Sequence, residues 1–491
     1  MAHILSKSSF ITGCQCAKAL WLSKNRRDLI PALVPALQAI FDQGREFGKL
    51  AHSLFPGGVD VSPESHFHYD PSIEETKRLI EQGAPAIYEA SFRENEVLVA
   101  VDILQNAGDG WNAFEVKSST SIKKVYIIDV AVQYWVMNRA GLKIRNISVI
   151  LVNNQYVRRG IPDHSALFKL VPVLDEVLAL QSWIGEAIEE LKAVANSETE
   201  PGISIGTHCS DPYVCQFMDH CWSHIPEYSV FDISRIGKKA WELYRKGIMN
   251  TVDIPEGFKL SDRQQIQVGG DKTGGRIFNA AAISEFLGGI RYPIRFLDFE
   301  SVMPLLPMFD ESRPYQQLVF QFSLHQIGNE NSEIEHFEFL AESAGKDPRL
   351  AVLNELRRTL GKSGSIVVYN QQFEITRLNE MARDFPEFAV DINGWIKRII
   401  DLMSPFRAGD FYLPAMRGSY SIKKVLPALF PEMNYDDLEI REGGTASLTF
   451  LQMMTGEFTG DLSHTRNALK EYCKMDTLAM VRIWQKLMSS D

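Results

Sequence analysis

Three things are scarce or missing in this sequence, and each removes a class of function. No apolar run reaches the roughly 20 residues of a membrane span. The opening "MAHILSKSSFITGC" lacks the continuous apolar core and small-residue cleavage site of a secretory signal, so a cytoplasmic location with no membrane partner is expected. Cysteine is sparse, six among 491 residues. Without export, these read as thiols or metal ligands rather than as a disulfide framework. Positive charge is in deficit: a net charge of −11 argues against a surface that is basic throughout, although a local basic groove suffices for contact with phosphate. Internal repeats and low-complexity tails are also absent.

What is present is an ordinary globular composition, 45% hydrophobic and 23% charged, long enough for at least two domains with their own cores. In the first part, "VLVAVDILQ" and "WNAFEVKSS" around the turn-prone "NAGDG" read as a strand pair. A helix over "IIDVAVQYWVMNRAG" and a strand over "IRNISVILVNN" follow, and the stretch from "HSALFKLVP" to "ELKAVAN" reads as one long amphipathic helical run. Residues 226–290, with "IGKKAWELYRKGI" and the Gly-rich "VGGDKTGGR", read as a helical spacer. Beyond 291, strands ("YPIRFLDFE", "QLVFQFSLHQI", "IEHFEFLA", "SIVVYN") precede and alternate with helices. The expected class is α/β with domains at 1–225 and 291–491, the second built on a mixed sheet.

The sharpest local feature is "RFLDFES". Asp298 and Glu300 sit two positions apart in an apolar strand, so both carboxylates project from one face, roughly 6.6 Å apart along the backbone. Acids crowded on such a face need exposure, basic partners or a cation. Further on, "VVYNQQFEITRL" places Glu374 at the opening of a helix, and "EYCKMDTLAM" puts Tyr472 and Asp476 one helical turn apart. In this order the set resembles the DEDD-type exonucleases of the ribonuclease H fold, in their tyrosine subtype, over residues 290–490. The resemblance implies that Asp298, Glu300, Glu374 and Asp476 hold two Mg²⁺ or Mn²⁺ ions and that Tyr472 orients the attacking water. Glu374 departs from the family's usual Asp. Asp401 in "IIDLMSPF" is a second candidate there, and Lys423 and Lys424 in "GSYSIKKVL" read either as phosphate contacts or as a solvated helix start.

A second constellation lies in the first part. "VAVDILQ" and "FEVKSS" supply Asp102, Glu115 and Lys117 in a D…E-x-K arrangement, with Gly48 and His52 upstream in "GREFGKLAH" and Gln133 downstream in "DVAVQYW". Alone, such a hairpin reads more readily as an exposed ion pair. Together the residues resemble the PD-(D/E)XK nucleases, in the RecB-like branch that includes the CRISPR-adaptation nuclease. The likeness implies a restriction-endonuclease-like domain in which Asp102, Glu115 and His52 bind the metal, Lys117 acts on the water and Gln133 steadies the site. The branch's usual tyrosine falls at Met137 here, and Tyr134 does not replace it. Cys209, Cys215 and Cys221, with five residues between each and the next, and the early Cys16 in "CAKALWL" match the cysteine pattern of iron–sulfur members. That pattern implies a [4Fe–4S] cluster, with structural Zn²⁺ as the alternative. Cys14 is a weaker substitute for Cys16, and Cys473 reads as a small core residue.

Both halves point to phosphodiester chemistry. The expectation is a metal-dependent nuclease with two sites, the second a 3′→5′ exonuclease, acting on single-stranded or end-containing DNA in DNA processing or repair, with a helicase as a possible partner. The alternatives are an RNA exonuclease and an inactive nucleic-acid-binding or redox-sensing iron–sulfur scaffold. The overall arrangement also resembles a bacterial family of unknown function.

Overall fold

The computed structural model describes residues 3–65, 68–342 and 345–489. The chain is mixed α/β and divides into two compact units, Met1–His224 with Leu305–Pro314, and Ile225–Pro304 with Tyr315–Asp491. Among the described residues no helix is long and apolar enough to cross a membrane.

In chain order the first unit contains β1 (Leu5–Ser6), α1 (Lys7–Gln15), α2 (Ala17–Asn25), α3 (Pro35–Ala51), β2 (Val59–Asp60), α4 (Asp70–Glu81), β3 (Ala86–Glu94), β4 (Val97–Asn106), β5 (Trp111–Lys117), α5 (Lys124–Arg139), β6 (Ile144–Val152), β7 (Phe168–Pro172), α6 (Leu174–Ala179), α7 (Gln181–Ala195) and α8 (Met218–Cys221). Its sheet runs β2-β3-β4-β5-β6-β7, with β1 beside β4. Strands β4 and β5 form the expected pair, β3 extends it to an antiparallel meander, and α5 crosses over to β6, which lies parallel to β5. The β4–β5 turn closes at Gly110, where a β-carbon would fall 2.8 Å from the Lys143 carbonyl, so only glycine fits. The run expected to be wholly helical begins instead with β7, paired antiparallel to β6. "FKLVP" ends on proline at the open edge of the sheet, and its Leu170 is exposed, as suits an edge strand. Valines of β4 and α5 share one apolar core with Ile184, Ile188 and Leu191 of α7.

The second unit contains α9 (Lys238–Arg245), α10 (Asp262–Thr273), β8 (Ile277–Phe278), α11 (Ala280–Gly288), β9 (Ile294–Val302), β10 (Leu318–Ile327), β11 (Ile334–Leu340), α12 (Pro348–Thr359), β12 (Ile366–Val368), α13 (Gln371–Asp384), α14 (Ala389–Ile396), β13 (Ile399–Asp401), α15 (Ser404–Ala408), β14 (Phe411–Tyr412), α16 (Ile422–Leu429), α17 (Gly443–Thr455) and α18 (Leu462–Met488). The main sheet has the order β11-β10-β9-β12-β13. β10 is antiparallel to β9 and β11, while β12 and β13 run parallel to β9. The segment read as a spacer, 226–290, is largely helical but belongs to this unit, and its β8 pairs with β14.

Central strand β9 explains how the fold presents its acids. Leu297 and Phe299 enter the apolar core shared with α12, α13 and α14. The intervening residues Asp298 and Glu300 take the other face, across which α18 packs against β9 and β10. Alternation along one strand thus separates core from chemistry.

Candidate functional site

In the second unit, Asp298, Glu300 and Asp476 converge. One carboxylate oxygen from each lies within 4.8 Å of the others, and among the described residues no other group of three or more His, Cys, Asp or Glu ligands is as close. Glu300 and Asp476 are buried and Asp298 is half-buried. Burial and the charges of Asp476, Glu300 and Glu374 raise Asp298 well above the carboxylate range. The same two causes push Glu300 up to about 8, with Asp476 as its charged neighbour, and burial lifts Asp476 to about 6. Three acids that resist ionisation together form a hard-oxygen set for a divalent cation.

Glu374 stands at the start of α13, fully buried. Burial, with Asp401 nearby, pushes it up to about 8, and its Oε2 has no hydrogen-bond partner. It lies outside the three-carboxylate group but close enough to press on Asp298. An orphaned acceptor of this kind is costly unless a ligand or ion meets it. Asp401 has a different task. Its Oδ1 accepts from the backbone N–H groups of Asn370 at 2.9 Å and Met403 at 3.1 Å, and its other oxygen pairs with Arg407 at 3.2 Å. It fixes the turn at Asn370, whose φ of 74° is left-handed and tolerated by asparagine, and so aims α13 and Glu374.

Tyr472 is buried one turn before Asp476 on α18. Burial and the surrounding carboxylates hold its phenol far above the usual range, which favours the protonated hydroxyl. A β-carbon on Gly443, the first residue of α17, would lie 3.7 Å from Glu300 Oε2 and 3.8 Å from the Tyr472 hydroxyl, so the helix start borders the cluster. Tyr435, which no motif flagged, donates from its hydroxyl to Asp476 Oδ1 at 2.6 Å. Lys423 places its ammonium over the rings of Tyr472 and Tyr435, at 5.2 and 5.3 Å, and donates to the Arg441 carbonyl. Cys473 is buried with its thiol 3.8 Å from Asp298 Oδ2, beside the acids rather than merely in the core.

The first unit assembles a different kind of site. Glu115 Oε1 receives Lys117 Nζ at 2.6 Å and Lys7 Nζ at 2.9 Å, and Gln133 Nε2 donates to its Oε2 at 2.7 Å. Lys117 also reaches Asp129 Oδ2 at 2.5 Å. Asp102 Oδ2 accepts the Val116 N–H at 2.6 Å. Burial favours neutral Glu115, but Lys117 and Lys7 outweigh it and hold the carboxylate well below its ordinary range. Asp102 goes the other way, up to about 8, through burial and the Glu115 charge.

Lys117, Glu115, Asp102 and Gln133 therefore meet as expected, but His52 is not gathered with them into a ligand group. Its ring stacks on Tyr88 at 3.8 Å, while the Tyr88 hydroxyl donates to the His52 and Phe55 carbonyls. Met137 is core. Lys7, Asp129 and the left-handed Glu89, which adds its charge to Asp102, were not foreseen. Only Asp129 carried a signal: it precedes Gln133 by four residues on α5, the spacing that shares a helix face.

Cys16, Cys209, Cys215 and Cys221 line one small cavity with Lys18, His208 and Phe217. No three of their sulfurs come within 4.8 Å of one another. Burial raises the thiols of Cys215 and Cys221, and the neighbouring cysteines add to it. Cys14 instead packs against the main core, where burial pushes it up to about 12.

A family model described as a domain of unknown function, DUF2779, matches residues 295–421, a stretch that carries Asp298, Glu300, Glu374 and Asp401. An uncharacterized protein of Mycoplasma pneumoniae is 28% identical over 207 residues, covering 38% of this chain and 31% of that protein. An uncharacterized protein of Ureaplasma parvum is 28% identical over 213 residues, covering 38% and 30%. The matches thus span under a third of each relative's length, and they fit a bacterial family of unknown function.

Proposed function

We propose that the chain is a metal-dependent phosphodiester hydrolase whose principal site is the carboxylate cluster of the second unit, a 3′→5′ exonuclease acting on single-stranded or end-containing nucleic acid, DNA before RNA. The observation that carries this reading is the convergence of Asp298, Glu300 and Asp476 within 4.8 Å with buried, unpartnered Glu374 beside them. The strand order with the second strand antiparallel, and the helices that follow it, support a ribonuclease H-like identity for this unit. The donor set fits hard divalent cations. Asp298, Glu300, Glu374 and Asp476 would hold Mg²⁺ or Mn²⁺, which when bound supplies charge stabilisation to the attacking and leaving oxygens of a phosphodiester.

The chain's own groups do the rest. Tyr435 fixes the carboxylate of Asp476 through its 2.6 Å hydrogen bond. Tyr472, kept protonated, orients the attacking water. Lys423 adds positive charge above the two tyrosine rings, where a phosphate approaching the cluster would meet it.

For the first unit, the strand meander and the meeting of Asp102, Glu115, Lys117 and Gln133 support a PD-(D/E)XK identity. The donor set there fits a metal less well, because two lysines already neutralise Glu115 and His52 forms no three-ligand group with the acids. That observation favours a second reading for this unit alone, a nucleic-acid-binding module without hydrolysis. The four cysteines suit an iron–sulfur cluster better than zinc. A single zinc with bonds of about 2.3 Å needs sulfurs roughly 3.8 Å apart, whereas a cluster spreads its thiolates over several irons. Visible absorbance of anaerobically purified protein, lost in Cys209→Ser, tests the cluster. Digestion of end-labelled single strands by wild type, Asp298→Asn and Lys117→Met, with Mn²⁺ or EDTA, tests the nuclease reading. Activity that needs metal and vanishes with Asp298 supports it, and metal-independent or Asp298-independent activity overturns it.

A further inference from the structure

A cavity of about 680 Å³ in the second unit is lined by residues of the former spacer and of the segment between β13 and α16, among them Tyr228, Arg235, Arg417, Tyr420, Ser421 and Lys424. None of these belongs to the acid cluster, yet the two places are joined. Lys424 lines the cavity while its chain neighbour Lys423 lies over Tyr472; adjacent residues of one helix point about 100° apart. The Tyr420 carbonyl accepts the hydroxyl of Tyr369 at 2.8 Å, the residue just before the turn that aims Glu374.

We infer that this cavity is a binding subsite for single-stranded nucleic acid, holding the phosphates and bases that trail the end seated at the carboxylates; the inference rests on the nuclease reading above. Arg235, Lys424 and the hydroxyl of Ser421 supply phosphate contacts. Tyr420 is backed on one face by the Arg263 guanidinium at 4.2 Å, and Tyr228 by Arg417 at 5.6 Å. Such tyrosine and guanidinium surfaces are the platforms on which unpaired bases stack. The two acids of the lining are already engaged: Glu227 pairs with Arg417 at 2.7 Å, and Asp232 accepts from the backbone and hydroxyl of Ser229. Arg235 and Arg417 also hold left-handed backbone, with φ of 51° and 47°. That conformation is unfavourable for a side-chain-bearing residue and gathers at ligand sites.

The test uses the full-length protein with the double variant Arg235→Gly/Arg417→Gly, since glycine keeps the left-handed backbone at no steric cost. Lys424→Glu serves as an independent single change. Binding of fluorescein-labelled dT15 and rU15 is followed by anisotropy in EDTA at 50 to 200 mM salt, and hydrolysis of thymidine 5′-(p-nitrophenyl phosphate), too short to reach the cavity, is followed with Mn²⁺. The double variant should bind the oligonucleotides about 30-fold more weakly, through the lost Arg235 contact and the lost backing of Tyr228, with a salt slope reduced by about 0.7 for one lost phosphate contact, and should hydrolyse the small ester at the wild-type rate. Unchanged oligonucleotide affinity and slope in both variants overturns the subsite. So does equal weakening toward poly-glutamate, which shows charge without nucleotide recognition. A wild type inert toward the small ester and toward oligonucleotides, with affinity still lost in the variants, would sink the nuclease reading and leave the subsite standing.

Discussion

The two candidate sites balance their acids in opposite ways. In the first unit, Glu115 sits between two lysines and a glutamine, and its carboxylate is held ionised. In the second unit, Asp298, Glu300, Glu374 and Asp476 are all raised, chiefly by burial, and Asp476 adds its charge to Asp298 and Glu300. A buried carboxylate needs either a resident cation or one from solution. The first site carries its own; under the proposed function the second takes one from solution. The difference says which unit should depend on metal for chemistry and for stability.

The largest break in that comparison is Asp298→Asn. It should lower metal-dependent strand cleavage by about a thousandfold or more, while Lys117→Met leaves end-directed cleavage by the second unit in place. The same Asp298→Asn change should raise the thermal stability of the metal-free protein at pH 8, because a neutral amide is buried without the cost of protonating or desolvating an acid.

Next in size is Glu115→Gln, which leaves Lys7 and Lys117 with less negative charge to face. Removing one partner of a buried ion pair costs about 3–5 kcal/mol, and chemical denaturation should show it in the first unit. Lys7→Met leaves Lys117 on Glu115 and should cost less.

The pH dependence sharpens the contrast further. Glu300 rises from an ordinary 4.5 to about 8, so between those values the folded state binds more protons than the unfolded state. Stability contributed by this group is therefore present below about 4.5 and is lost as pH climbs toward 8. In EDTA, the melting temperature of the second unit should fall from pH 5 to pH 8. Mn²⁺ should restore it, with a larger rise at pH 8 than at pH 5.5, because ligands must shed protons to bind. The smallest effect is expected from Tyr435→Phe. Loss of its hydrogen bond to Asp476 is worth about 1–2 kcal/mol, read as a cleavage rate down about tenfold with the fold intact.

Sequence pattern carried the parts of both sites that obey a short period. Asp298 and Glu300 were legible because a strand alternates every two residues, and Tyr472 with Asp476 because a helix returns every four. The β4–β5 hairpin announced itself through the turn at 106–110. What escaped arrives through tertiary packing. Lys7 lies 108 residues from Glu115, and Tyr435 sits 41 residues from Asp476, so no local spacing links either pair. Strand β7 was hidden inside a run whose amphipathic character suited a helix, and only its pairing with β6 decided otherwise. The segment 226–290 looked like a connector because it holds no acid cluster, yet its apolar residues, Val230, Ile233, Leu243 and Val268 among them, form a core of their own within the second unit.

The most direct test of the central claim is Mn²⁺ binding to the metal-free protein, measured by calorimetry at pH 8 for wild type, Asp298→Asn and Glu115→Gln. The account expects wild type and Glu115→Gln to bind Mn²⁺ alike with release of protons, and Asp298→Asn to lose that binding. Undiminished binding in Asp298→Asn, or binding lost only in Glu115→Gln, would contradict it and move the metal site to the first unit.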